Sequence, residues 1–163
     1  MARAILAVAA LAALAAVPTA AAATSVTLVF TSYTTITKTH DTAPRGKANK
    51  GDSIEFKDLL VSARNQLGKK KGRPVAYDAG TVSYTSATTQ QINGVMTFPG
   101  VGTVTFRGVM RAMKDGTTHV RVVRGTGSFK GAKGTLIIGK GEQKAPNTYV
   151  LRLPRPIPLP GSA

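Results

Sequence analysis

The chain is 163 residues long and carries 22 Lys and Arg against 7 Asp and Glu, a net charge of +15, with neither Cys nor Trp. That length suits one domain of ordinary size, and the missing Cys excludes a disulfide framework, thiolate metal sites and a cysteine nucleophile. Two His and seven scattered acids leave little for a metal cluster or a His-based triad, so neither a cofactor nor a metal is expected.

Residues 1–23 read as a leader. Met1 to Arg3 give a short positive start, and Ala4 to Val17 form an apolar run of signal-peptide length. Pro18-Thr19 breaks that run before Ala20 to Ala23, and cleavage is expected near Ala21 to Ala23. The run falls short of the ~20 apolar residues a membrane-spanning helix needs. The expectation is a secreted protein, extracellular or associated with the cell envelope. Beyond residue 23 the chain is rich in Thr, Val and Ile, whose restricted χ1 suits a pleated surface, with Gly interleaved as turn punctuation. This composition is that of an all-β domain over 24–153.

Period-two alternation marks out eight strands. Val26, Leu28 and Phe30 begin the first, which runs to about Lys38. Ile54, Phe56, Asp58 and Leu60 share one face of the second. Pro74 to Thr85 is the third, Thr88 to Phe98 the fourth, and Val101 to Met113 the fifth, with Val104, Phe106 and Met110 on one face. Lys114-Asp115-Gly116 is a hairpin signal. Thr117 to Arg124, Gly134 to Gly139 and Thr148 to Leu153 complete the set. Consecutive strands on short connections make a closed barrel or a sandwich. Thr39 to Gly51 reads as a mobile polar loop. In 154–163, Pro at every second position from Pro154 to Pro160 denies a ladder its donors, so this tail is expected to leave the sheet.

The segment Val122-Val123-Arg124-Gly125-Thr126-Gly127-Ser128-Phe129-Lys130-Gly131-Ala132-Lys133-Gly134 resembles the V-x-G-G-T-G-x-F-x-x-A-R-G signature of dirigent proteins and the wider allene oxide cyclase-like barrel family. Gly51 to Leu60 is similar to that family's F-x-D strand, Gly72 to Tyr84 to the strand after it, Val101 to Gly108 to its G-x-I-x-x-x-G strand, and Thr148 to Leu151 to its closing T-Y strand. The resemblance spans residues 26–153. It implies an eight-stranded antiparallel β-barrel, often a homotrimer, with a hydrophobic lumen open at one end. It also implies guidance of the coupling or cyclisation of a small reactive molecule, an isomerase- or cyclase-like activity where turnover occurs. A barrel of eight strands has room for one small ligand.

Asp58 falls on the apolar face of its strand, where a carboxyl is desolvated unless a donor or cation meets it. Such a group can move a proton near a bound ligand, and it matches the Asp of the F-x-D motif. The competing role is structural, capping a loop or pairing with an Arg. Ser128 stands where many dirigent proteins carry an acid, so the cavity is expected to lack a second one. Lys133 replaces the usual Arg and is expected to make a structural contact or face solvent. Phe30, Phe56, Tyr77, Tyr84, Phe106 and Met110 are the candidate ligand-contacting residues, against the alternative of plain core. His119 is expected to face outward with Arg121.

Lys69-Lys70-Lys71-Gly72-Arg73 is the densest charge run, a solvated tip or a contact for an anionic envelope polymer or membrane surface. Nucleic acid is not expected for an exported chain without an aromatic-and-basic RNA-binding strand. Two functions fit these features, and a third, an antimicrobial or host-directed cationic protein, rests on charge alone. The first is a secreted barrel that binds a small hydrophobic molecule and guides its cyclisation or coupling. The second is a non-catalytic cationic protein of the envelope built on the same barrel.

Overall fold

The computed structural model describes residues 25–110, 117–139 and 147–153. The expected leader, the Lys114-Asp115-Gly116 turn and the Pro-rich tail lie outside these described residues. Eight strands appear in chain order: β1 (Val26–His40), β2 (Ser53–Ser62), β3 (Pro74–Tyr84), β4 (Gln90–Phe98), β5 (Gly102–Met110), β6 (Thr118–Gly125), β7 (Gly134–Ile138) and β8 (Asn147–Leu153). Each pairs antiparallel with the next and β8 returns to β1, so the sheet closes into a barrel and the sandwich is ruled out. Closure leaves no unpaired edge, which matters for a chain without disulfides.

β1 is long because it serves two neighbours at different heights. Val26 to Ser32 pair with β8, while Phe30 to His40 pair with β2. That offset is the stagger a closed barrel requires of its strands. The loop after β1 is tied at its base by Asp52. Its carboxylate accepts hydrogen bonds from the Thr42 N–H at 2.8 Å, the Thr42 hydroxyl at 2.6 Å and the Asn49 N–H at 2.7 Å. These bonds hold the Asp52 carboxyl below its ordinary range.

One end of the barrel is filled. Phe30, Leu60, Met96, Phe98, Val104, Phe129, Leu151 and Leu153 are all buried there. Phe98 sits between Phe30 (5.6 Å between ring centroids) and Phe129 (4.8 Å). Burying each such ring is worth about 1.5–3 kcal/mol, and tilted ring pairs add about 0.5–1.5 kcal/mol. The Gly-Thr-Gly block explains how Phe129 reaches this plug. After Gly125 the chain makes a single 3₁₀ turn, Gly127–Phe129. Gly127 has φ +57°, and a Cβ there would lie 2.3 Å from the Val101 carbonyl oxygen, so only glycine fits. The Thr126 hydroxyl meets the Thr103 hydroxyl at 2.8 Å and accepts the Thr103 N–H at 3.1 Å, which pins the turn to β5.

The opposite end is looser. Ile54, Phe56, Val82, Tyr84, Met110 and Ile138 point inward by strand parity, yet each is only half-buried. The barrel is therefore plugged by aromatic rings at one end and less tightly packed, with a half-buried apolar rim, at the other.

Candidate functional site in the barrel lumen

Between plug and rim the apolar lining is interrupted by four polar side chains. Ser32 comes from β1, Asp58 from β2, Asp78 from β3 and Tyr149 from β8, and all four are buried. Their convergence is a matter of register. Asp58 lies directly opposite Asp78 across the β2–β3 ladder. Tyr149 is opposite Phe30, one inward position before Ser32 on β1.

Asp58 is partly satisfied. Its Oδ2 accepts a hydrogen bond from the Ser32 hydroxyl at 2.9 Å and another from the Tyr149 hydroxyl at 3.2 Å. Its Oδ1, and both carboxyl oxygens of Asp78, are buried without a hydrogen-bond partner. Buried polar atoms are nearly always paired, so three orphan oxygens at one level of the barrel interior mark a site rather than a packing element. Burial, and then the negative charge of Asp58, push the Asp78 carboxyl up from 3.8 to about 8. Burial also pushes the Tyr149 phenol well above its ordinary range, reinforced by the charges of Asp78 and Asp58, so it stays a donor. At neutral pH the lumen thus holds a neutral carboxylic acid facing a second carboxyl that two hydroxyls support. Among the described residues no three His, Cys, Asp or Glu side chains converge as a metal site.

The expected site residues divide by location. Asp58 occupies the lumen as period two requires. Phe106 is fully buried at mid-barrel with its ring against Gly94, where a Cβ would come within 2.4 Å of the ring. Phe56 leans on Gly80 in the same way, at 2.7 Å. Phe56, Tyr84 and Met110 line the open half, and Phe106 forms its wall. Phe30 points inward but is locked in the aromatic plug, away from the opening. Tyr77 is a correction. It is 43% exposed on the outer wall, because Ala76, Asp78 and Gly80 take the inward positions of β3. Glycine is needed inside at position 80, since the Phe56 ring already fills that space.

The expectation that the cavity lacks a second acid is also corrected. Ser128 is indeed no acid, but Asp78 supplies one from another strand. Ser32 and Tyr149 are further members that sequence reasoning does not find. The available signal was parity: Tyr77 and Tyr84 are an odd number of residues apart and cannot both face inward on a regular strand, and placing Tyr84 inside carries Asp78 with it.

The sequence matches no protein-family model and no curated protein. Solved structures do resemble the barrel. A pyocyanin demethylase aligns over 78% of this chain and 99% of its own, with TM-score 0.65 and 22% identity. A pterocarpan synthase dirigent protein aligns over 85% of this chain and 93% of its own, with TM-score 0.60 and 14% identity. An exo-specific intermolecular Diels-Alderase covers 80% and 96%, with TM-score 0.59 and 12% identity. The chain therefore has the dirigent-type eight-stranded barrel fold.

Proposed function

We propose that the loosely packed half of the lumen binds a small, largely apolar molecule bearing an acceptor oxygen, and that Asp58 and Asp78 guide its cyclisation or coupling by proton transfer. The observation that carries this reading is the facing carboxyl pair, whose orphan oxygens lie below an apolar, half-exposed rim. Asp78, neutral near pH 7, donates its O–H to a carbonyl-type oxygen and stabilises charge developing there. Asp58 Oδ1, the oxygen that Ser32 and Tyr149 leave free, takes a proton from the adjacent carbon and returns it after the skeleton rearranges. Two hydroxyls support Asp58 and none supports Asp78, and this asymmetry gives the two carboxyls different parts in the reaction. The named reactions of the structurally similar proteins are a demethylation, a pterocarpan synthesis and an intermolecular Diels–Alder reaction. What favours the present reading across such different reactions is the shaped cavity, with chemistry set by the few polar groups inside it. Export, on the leader-like residues 1–23, belongs to the same proposal.

The test is deuterium exchange beside the carbonyl of 1-tetralone, a neutral bicyclic ketone, monitored by NMR in D₂O. Wild type should accelerate exchange over buffer, and Asp58→Asn and Asp78→Asn should each lose about 10²-fold of that acceleration. Equal rates for wild type and both variants would overturn the assignment.

A further inference from the structure

The outer wall of β4 to β8 carries an unbalanced row of positive charge. Asn93, Arg107, Arg121, Thr135 and Arg152 are successive register partners across five neighbouring strands. Arg124, opposite Thr105, lies in the adjacent row. All four arginines are exposed. Arg107 and Arg121 face one another directly, an arrangement that costs stability because like charges oppose across a ladder. No hydrogen bond or ion pair relieves either guanidinium among the described residues. The described acids lie elsewhere: Asp58 and Asp78 in the lumen, Asp41, Asp52 and Glu55 around the β1–β2 connection.

This wall is also concave. Gln91, Asn93, Arg107, His119 and Arg121 line a groove of about 630 Å³ over β4 to β6, within the size range of ligand sites. Guanidinium groups pair bidentately with carboxylate, sulfate or phosphate, and the amides of Gln91 and Asn93 can both donate to and accept from hydroxyl groups. Acidic groups and hydroxyls alternating along one chain are the chemistry of an acidic polysaccharide. A bilayer surface is too flat to fill a groove, and the exposed tyrosines, Tyr33 and Tyr77, lie on β1 and β3 instead. Single-stranded nucleic acid binds through aromatic stacking platforms, and the groove has no Phe, Tyr or Trp in its lining. We infer that the β4–β6 groove binds an acidic polysaccharide, with Arg107 and Arg121 holding its anionic groups and Gln91 and Asn93 its hydroxyls. This site is independent of the lumen and of the Lys69–Arg73 loop.

The test is calorimetric titration of the purified protein with polygalacturonate at low salt, with dextran as the neutral control. The Arg107→Gln/Arg121→Gln variant should bind about tenfold more weakly. Lys69→Gln/Lys70→Gln, which removes the same charge from the loop, should change affinity less than about twofold. Wild type should bind dextran undetectably. Removing two repelling arginines should leave thermal stability unchanged or higher, and tetralone exchange in the lumen should be unaffected, so failure here is distinct from failure of the catalytic reading. Equal losses in the two variants would reduce the effect to net charge and overturn the site. So would an unaffected arginine variant, absence of binding by wild type, or tighter binding to a single-stranded DNA oligonucleotide or phosphatidylglycerol vesicles than to polygalacturonate.

Discussion

Asp78→Asn changes one atom in the lumen and removes the carboxyl that burial keeps protonated. The wild-type group ionises near 8 in the folded protein, against 3.8 when solvated. Between those values the folded state keeps a proton that the unfolded chain has released, so stability falls as pH rises through the window and levels off above it. The slope is about 1.4 kcal/mol per pH unit, which over that window sets a ceiling of about 6 kcal/mol. About three of those units lie between pH 5 and the top of the window, so about 4 kcal/mol is the expected loss over that range. Asn has nearly the same shape and does not ionise. The variant's stability relative to wild type should therefore rise by about 4 kcal/mol between pH 5 and pH 9, or roughly 10–15 °C in Tm. Urea denaturation across roughly pH 5 to 9 reads this directly. Parallel profiles for the two proteins would refute the reasoning, because they would mean that Asp78 ionises alike in the folded and unfolded chain.

Packing and hydrogen bonding set three further outcomes. Gly94→Ala drives a Cβ into the Phe106 ring, and should cost about 1–3 kcal/mol; adding Phe106→Leu should recover part of that loss in a double-mutant cycle. Tyr77→Ser on the outer wall should stay within about 0.5 kcal/mol of wild type, whereas Phe106→Ala should cost about 3–5 kcal/mol, both read from denaturant midpoints. Asp52→Ala frees the Thr42 and Asn49 N–H groups and should speed their amide exchange. In wild type the same two amides should lose protection as pH falls through the depressed Asp52 titration, since that contribution is present above the unfolded value and lost below it.

Much of this barrel is written in local patterns. Alternation places all eight strands, with those ends that fall on described residues displaced by only a few positions, as when β1 runs on to His40 rather than ending at Lys38; the expected end of the fifth strand at Met113 lies outside the described residues. Closure is implied by the resemblance of the Gly-Thr-Gly block, and its physical basis is the Gly127 turn that delivers Phe129 to the plug. Asp58 can be found because its strand alternates cleanly. Asp78 cannot be found by size and hydrophobicity, because β3 inverts the usual preference: its tyrosine faces solvent while alanine, aspartate and glycine face inward. That inversion is fitted to Phe56 across the ladder, whose ring a Cβ at Gly80 would meet at 2.7 Å, a non-local packing constraint. Ser32 and Tyr149 join the site only through barrel closure, which brings β1 and β8 together from opposite ends of the chain. The net charge, visible from the outset, likewise needs register before Arg107, Arg121 and Arg152 can be seen as one row.

The proposed chemistry rests on a neutral Asp78 that donates to an oxygen of a ligand entering the lumen from its loosely packed end. Carbon-13 NMR titration of the aspartate side-chain carboxyls, alone and with 1-tetralone or its carbonyl-free counterpart tetralin, tests that claim most directly. One carboxyl should titrate near pH 8, be lost in Asp78→Asn and be displaced by tetralone but not by tetralin. Two lumen carboxyls that both titrate near the ordinary value of about 4 and ignore the ketone would contradict the claim.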